Sequence, residues 1–237
     1  MYKKNIFNYN STFFVVATPI GNLSDITIRA LDILRNVDLI ASEDTRQTRK
    51  LLLRFEINKP RLISYHKFSK GRKDQFILKE LLDGKNIALV SDAGTPLIAD
   101  PGYSLVQFLK KKDIKIEVLP GACSIINGLV LTGVKTSDFV FGGWFPRKDT
   151  QRLKVLSKFL TVTNTLVFLE SPHRILKSLK LISSYKKFEN LKVYIAREMT
   201  KIYEEVISGS PEDVLEILDK KKVKGEIVLV LTIYYNK

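Results

Sequence analysis

The chain has 237 residues, 45% of them hydrophobic and 10% aromatic, enough apolar material for a buried core and too much for a chain that stays disordered. Lys and Arg number 39 against 25 Asp and Glu, a formal charge of +14 that favours polyanions such as nucleic acid or an anionic membrane surface, although AT-rich codons are a second source of lysine. The lone Cys123 excludes an internal disulfide framework, and two histidines far apart in sequence, His66 and His173, leave no zinc set to expect.

Residues 1–10 lack the apolar core of a signal peptide, and no later stretch holds about eighteen uninterrupted apolar residues, so a cytoplasmic location with no membrane partner is expected. Short β-branched or apolar runs follow at 13–18, 38–42, 62–65, 87–91, 114–119 and 139–141, with helical periods between them. In the first gap Ile26, Ala30, Ile33, Leu34 and Val37 share one face of a 3.6-residue repeat, and Ser24 or Asp25 is placed to cap its start. Alternating strand and helix predicts a mostly parallel sheet covered on both faces, in a first α/β domain of residues 1–142. Gly142-Gly-Trp-Phe-Pro-Arg-Lys148 then breaks the pattern and predicts a hinge into a second α/β domain, 143–237. There the pattern gives a helix at 150–160, a strand at 165–169, a helix at 172–183, strands at 192–196 and 204–208, a helix at 211–218 and a last strand at 226–233. Because strict alternation is lost, a mixed sheet is expected.

In a parallel sheet, functional loops follow the carboxyl ends of strands. Four such loops stand out: Thr18-Pro-Ile-Gly-Asn22, Glu43-Asp-Thr-Arg46, Ser91-Asp-Ala-Gly-Thr-Pro96 running on to Asp100-Pro-Gly102, and Pro120-Gly-Ala-Cys-Ser124. Gly94 and Gly102 with Pro96 and Pro101 suit either a rigid array of main-chain groups facing a ligand or a connection with two tight turns. A Rossmann enzyme is disfavoured, because no Gly-x-Gly-x-x-Gly follows the first strand and no phosphate loop is present. Glu43 and Asp44 stand between a buried strand and a helix carrying Arg49, Lys50 and Arg54. Asp44 either caps that helix, or one of the two carboxylates is a general base while Arg46 and Arg49 hold a phosphate. Adjacent side chains of an extended segment diverge, so at most one faces the site; Lys67 is the next candidate base. Arg147 and Lys148 beside Trp144 and Phe145 suit RNA, or else a solvated linker with two buried aromatics. Arg174, with His173, stands at a strand end and helix start, where an anion can be received or where both are plain surface residues.

Together these loops resemble the tetrapyrrole-methylase superfamily and, within it, the ribosomal small-subunit methyltransferase I family. The marks are Val16-Ala-Thr-Pro-Ile-Gly-Asn-Leu-Ser-Asp-Ile-Thr27, Glu43-Asp-Thr-Arg46 and Ser91-Asp-Ala-Gly-Thr-Pro-Leu-Ile-Ala-Asp-Pro-Gly102, followed in order by Leu119-Pro-Gly-Ala122, Phe145-Pro-Arg-Lys148, Glu170-Ser-Pro-His-Arg174 and Arg197-Glu-Met-Thr-Lys201. They cover residues 14–231, nearly the whole chain, and their number and order make the likeness specific. Cys123 stands where the family suggests serine, and Met199 where leucine is commoner.

The resemblance implies two α/β domains that bind S-adenosylmethionine, folded, in the cleft between them, and 2′-O-methylation of a cytidine in 16S ribosomal RNA, free or in the small ribosomal subunit, with no metal. It implies donor contacts at Asp92, Gly94, Thr95, Ile98 and Ala99, at Gly121 and Ala122, and from the second domain near Glu170 and Gly225. A homodimer is compatible with it. Two other readings compete: methylation of a tetrapyrrole carbon by the same scaffold, and a non-catalytic RNA-binding protein of ribosome assembly.

Overall fold

The apolar runs become the strands of two sheets in the structure, a computed structural model that describes residues 11–233 apart from 67, 70, 186, 187 and 189. The signal-peptide reading of residues 1–10 and the candidate base Lys67 therefore lie outside the described residues. The chain divides into two units, Met1–Ala122 and Cys123–Lys237.

In the first unit, strands β1 (Thr12–Val16), β2 (Leu39–Ser42), β3 (Arg61–Ser64), β4 (Ile87–Val90) and β5 (Lys115–Leu119) alternate with helices α1 (Ile28–Asn36), α2 (Thr45–Arg54), α3 (Arg72–Leu82) and α4 (Tyr103–Lys110). The sheet order is β3-β2-β4-β1-β5, with every pairing parallel. The two-residue period of a strand fills both faces. Phe13, Val15, Leu39, Ala41, Ile87 and Leu89 join Ile77 and Leu81 of α3 and Leu105 and Leu109 of α4 in one core. Phe14, Val16, Ile40, Ala88 and Val90 meet Ile33 and Leu34 of α1 and Leu52 of α2 in the other.

One local expectation is corrected. Leu23–Asp25 form a separate single turn of 3-10 helix, and Ile26 returns to extended backbone. The cap of α1 is therefore Thr27, whose hydroxyl accepts from the Ala30 amide at 3.1 Å, and neither Ser24 nor Asp25.

The second unit comprises α5 (Ser124–Leu131), β6 (Val140–Trp144), α6 (Asp149–Phe159), β7 (Thr165–Glu170), α7 (Ile175–Ser183), β8 (Leu191–Arg197), β9 (Glu205–Gly209), α8 (Pro211–Asp219) and β10 (Ile227–Ile233). Its sheet is mixed, in the order β6-β7-β10-β8-β9, with only β6 and β7 parallel. Leu156 of α6, Leu179 of α7 and Leu218 of α8 bury Phe168, Ile195 and Leu229 on one face. Helix α5 lies on the other face, close enough that a Cβ added at Gly128 would stand 2.7 Å from Val228. The run at 139–141, grouped by pattern with the first sheet, becomes β6 and pairs with β7 through Val140↔Leu166 and Phe141↔Val167. Thus the units meet at Ala122 and Cys123, whereas the sequence pattern changes at Gly142.

Candidate active site at the carboxyl ends of the parallel sheet

Because all strands of the first sheet run the same way, their carboxyl ends deliver the intervening loops to one rim. The adjacency of β4, β1 and β5 brings three of the four singled-out loops together there. Thr18 and Gly94 exchange two backbone hydrogen bonds, each 2.9 Å. The Thr18 hydroxyl donates to the Ser91 carbonyl at 3.0 Å, and the Ser91 hydroxyl donates to the Gly94 carbonyl at 3.0 Å. The Thr95 hydroxyl donates to the Ala122 carbonyl at 3.0 Å, tying in the loop after β5.

The path between Gly94 and Gly102 is strained. Leu97 and Ala99 hold φ of 73° and 65°, left-handed values that cost an L-residue on the order of 1–3 kcal/mol each and persist only where surrounding structure enforces them. Gly94 has φ +85°, and an added Cβ would lie 3.3 Å from Ile20 Cγ2; one at Gly121 would lie 2.7 Å from the Ala17 Cβ. These glycines let the loops pack against each other. Of the expected donor contacts, Asp92, Ile98, Ala99 and Gly121 are exposed, Thr95 and Ala122 are half-buried and Gly94 is buried.

The loop after β2 joins the same rim, since the Asp44 amide donates to Asp92 Oδ1 at 3.0 Å. Asp44 is fully engaged: it caps α2 by accepting from the Arg46 amide at 2.8 Å, and Arg46 Nη2 and Nε donate to its carboxylate at 2.6 and 3.0 Å. The side-chain bond from Arg46, then the backbone bond, hold its carboxyl at about 2. Glu43 is not part of that cap. Its pKa is raised, first by desolvation and then by the charge of Asp92, with His66 pulling the other way. Arg46 and Arg49 are exposed along α2.

In the second unit Arg147 and Lys148 are exposed just before α6. The aromatic pair beside them divides: Trp144 is 49% exposed, whereas Phe145 is buried with its ring 4.9 Å from that of Phe168. Glu170 is fully buried at the end of β7. Its Oε1 accepts from the Ser171 amide at 2.6 Å and meets Arg174 Nη2 at 2.5 Å, while Oε2 accepts from the Ser178 hydroxyl at 2.6 Å and stands 3.6 Å from Arg152 Nη2. Arg152, which sequence reasoning missed, is 1% exposed; Nε donates to the Pro146 carbonyl at 2.7 Å and its guanidinium lies over the Phe145 ring. A carboxylate taken out of water needs such partners. The side chains of Glu170 and Arg174 are therefore paired with each other. Gly225 has φ +80°, a backbone that favours glycine, and a Cβ there would stand 1.7 Å from Glu198 Oε1 and displace that carboxylate. Among the described residues no His, Cys, Asp or Glu side chains group as a metal site, and no helix is long and apolar enough to cross a membrane.

The chain matches, over residues 12–215, the family described as Tetrapyrrole (Corrin/Porphyrin) Methylases. Curated relatives called ribosomal RNA small subunit methyltransferase I include that of Hydrogenobaculum sp. (strain Y04AAS1), 46% identical over 92% of this chain and 94% of its own length. That of Thermotoga maritima is 41% identical over 92% of this chain and 96% of its own, and that of Escherichia coli O157:H7 is 44% identical over 94% and 78%. Among solved structures, a diphthine synthase has a TM-score of 0.73 at 18% identity, covering 94% of this chain and 89% of its own. A cobalt precorrin-4 methyltransferase of cobalamin biosynthesis has 0.68 at 16%, covering 93% and 94%. These two share the fold.

Proposed function

Because the chain belongs to the ribosomal RNA small subunit methyltransferase I family of the tetrapyrrole (corrin/porphyrin) methylases, we propose that it moves the methyl group of S-adenosylmethionine to the 2′-hydroxyl of a cytidine in small-subunit ribosomal RNA. The observation that carries this reading is the interlocked rim of the first unit, where the loops after β1, β4 and β5 are fastened to one another and the carboxylates after β2 and β4 adjoin.

The donor supplies an activated methyl carbon on a sulfonium, so the chain's own residues have to hold the ribose hydroxyl in line, exclude water and take its proton. The residues present fit such a donor. Exposed Ile98 and Ala99 offer apolar surface to the adenosyl group, and Asp92 offers a carboxylate to its positive charge. Glu43, next to Asp92 and not consumed as a helix cap, is the proton acceptor. Arg46 and Arg49 of the first unit and Arg147 and Lys148 of the second meet RNA phosphates.

The test is mass mapping of 16S ribosomal RNA from a strain lacking the relative's activity, before and after incubation with this protein and S-adenosylmethionine. A gain of one methyl on a cytidine ribose is expected. No gain, with donor binding intact by calorimetry, would overturn the reading.

Two substitutions probe its parts. Gly94→Val forces a β-branched residue into a left-handed turn beside Ile20 and Ala122, so the rim must reshape. If about 1.4 kcal/mol of donor binding is lost in that rearrangement, the donor Kd rises about tenfold. Calorimetry on a variant of parental circular dichroism checks this, and an unchanged Kd would remove the donor from this loop. Replacing Arg147 and Lys148 together by Ala should flatten the log–log dependence of RNA affinity on salt by roughly one unit per charge lost. A slope equal to the parent's would return both to a solvated linker.

A further inference from the structure

We propose that Phe68, in the turn after β3, is a stacking platform for an unpaired RNA base, a positioning residue for the reaction assigned above. The inference rests on that RNA reading. Strand β3 pairs with β2 in the register Ser42↔Ser64, and the Tyr65 amide donates to the Ser42 carbonyl at 2.6 Å. The turn therefore leaves the sheet beside Glu43, on the rim already described.

The turn is fastened and its aromatic is not. The Ser69 amide donates to the His66 carbonyl at 2.8 Å, the His66 amide donates to the Ser69 hydroxyl at 3.0 Å, and the Phe68 amide donates to His66 Nδ1 at 3.3 Å. Ser69 is buried, whereas Phe68 is 87% exposed, its ring set edge-on with the His66 imidazole at 6.2 Å between centroids. A phenyl ring held out of the core forfeits the burial that normally retains it. Lys73 Nζ donates to the Ser64 carbonyl, fixing the start of α3 on the end of β3 as well.

The sequence on either side of the ring points to its partner. The stretch His66-Lys-Phe-Ser-Lys-Gly-Arg-Lys73 holds four cations in eight residues, and Arg46 and Arg49 stand on α2, which starts from the neighbouring strand end. A protein partner would call for further apolar residues around the ring. An exposed aromatic in a cation-rich stretch instead matches single-stranded RNA, where a base stacks and the phosphates on either side are neutralised.

The test compares the parent chain, Phe68→Ala, Phe68→Leu and Phe68→Trp on protein-free small-subunit ribosomal RNA, by fluorescence anisotropy and by methylation kinetics. For Phe68→Ala the RNA Kd and KM should rise about tenfold, the scale of one lost base stack, with kcat changing less. The salt slope, the donor Kd and the melting temperature should stay parental, because neither charge nor core packing is lost. Phe68→Trp should restore affinity and Phe68→Leu should not. Parental RNA affinity in Phe68→Ala, or full rescue by Phe68→Leu, would overturn the inference while leaving the methyltransferase reading in place. A parent chain that binds donor and no RNA would overturn both.

Discussion

Replacing Glu43 by Gln should slow single-turnover methylation by about 10²- to 10⁴-fold, the range that a positioned base contributes, with donor affinity and melting temperature kept. Gln preserves the volume and removes the proton acceptor. The choice of Glu43 over its neighbour follows from their surroundings. Asp44 is held near 2 by Arg46, so it is ionised at every working pH and too weak a base. Glu43 is lifted above its ordinary 4.5 by desolvation and by Asp92, which makes its carboxylate the more basic of the two. A base acts when deprotonated, so the rate should climb as pH rises through that elevated pKa, and the limb should vanish in Glu43→Gln. Asp44→Asn should keep the limb and weaken RNA binding by freeing Arg46 from its anchor. A Glu43→Gln enzyme within a few-fold of the parent at saturating donor and RNA would exclude it as the base, and Lys67 would be next to test.

The second large effect is on stability. Glu170→Ala should destabilise the second unit by about 3 kcal/mol, because Arg152 at 1% exposure and Arg174 would both lose their buried carboxylate, leaving Arg152 the 41% exposed side chain of Asp149 at 3.1 Å. In a unit of this size that shift lowers the melting temperature by more than about 10 °C in calorimetry. Arg152→Met combined with Glu170→Leu should recover much of the loss, since apolar groups of similar volume remove both desolvation penalties together. A fall of less than about 1 kcal/mol in the single variant would mean that Glu170 is not the counter-charge that Arg152 needs.

Most of the architecture was legible because buried strands are continuous apolar runs. The runs at 13–18, 165–169 and 226–233 lie within two residues of Thr12–Val16, Thr165–Glu170 and Ile227–Ile233. The loss of strict alternation after Gly142 correctly signalled a mixed sheet. What the pattern does not contain is pairing. Nothing local says that the run at 139–141 joins β7, or that β1 lies between β4 and β5. The same limit separates Glu43 from Asp44: a period of two says that they diverge, while the partner of the Asp44 amide, Asp92, lies 48 residues on. Arg152 reads in sequence as a solvated helix residue, and its burial rests on partners that include Glu170, which arrives from the end of β7. Glycine was legible as a need for unusual backbone but not as to what would fill the space, which at Gly94 and Gly121 is other protein.

The place of β1 in its sheet bears on how the chain is made. It is the earliest strand of the first unit to leave the ribosome, yet both its neighbours come later: β4 begins at Ile87 and β5 at Lys115. At about 5–20 residues per second, roughly 5–20 s pass between the emergence of β1 and that of its last partner. Until β4 arrives, Phe13, Phe14, Val15 and Val16, all buried in the finished unit, form an apolar run with two open hydrogen-bonding edges, and one edge stays open until β5 follows. Ribosome-bound fragments that end before Ile87 are the species in which chaperones would be needed most, and the need should fall once Leu119 has emerged.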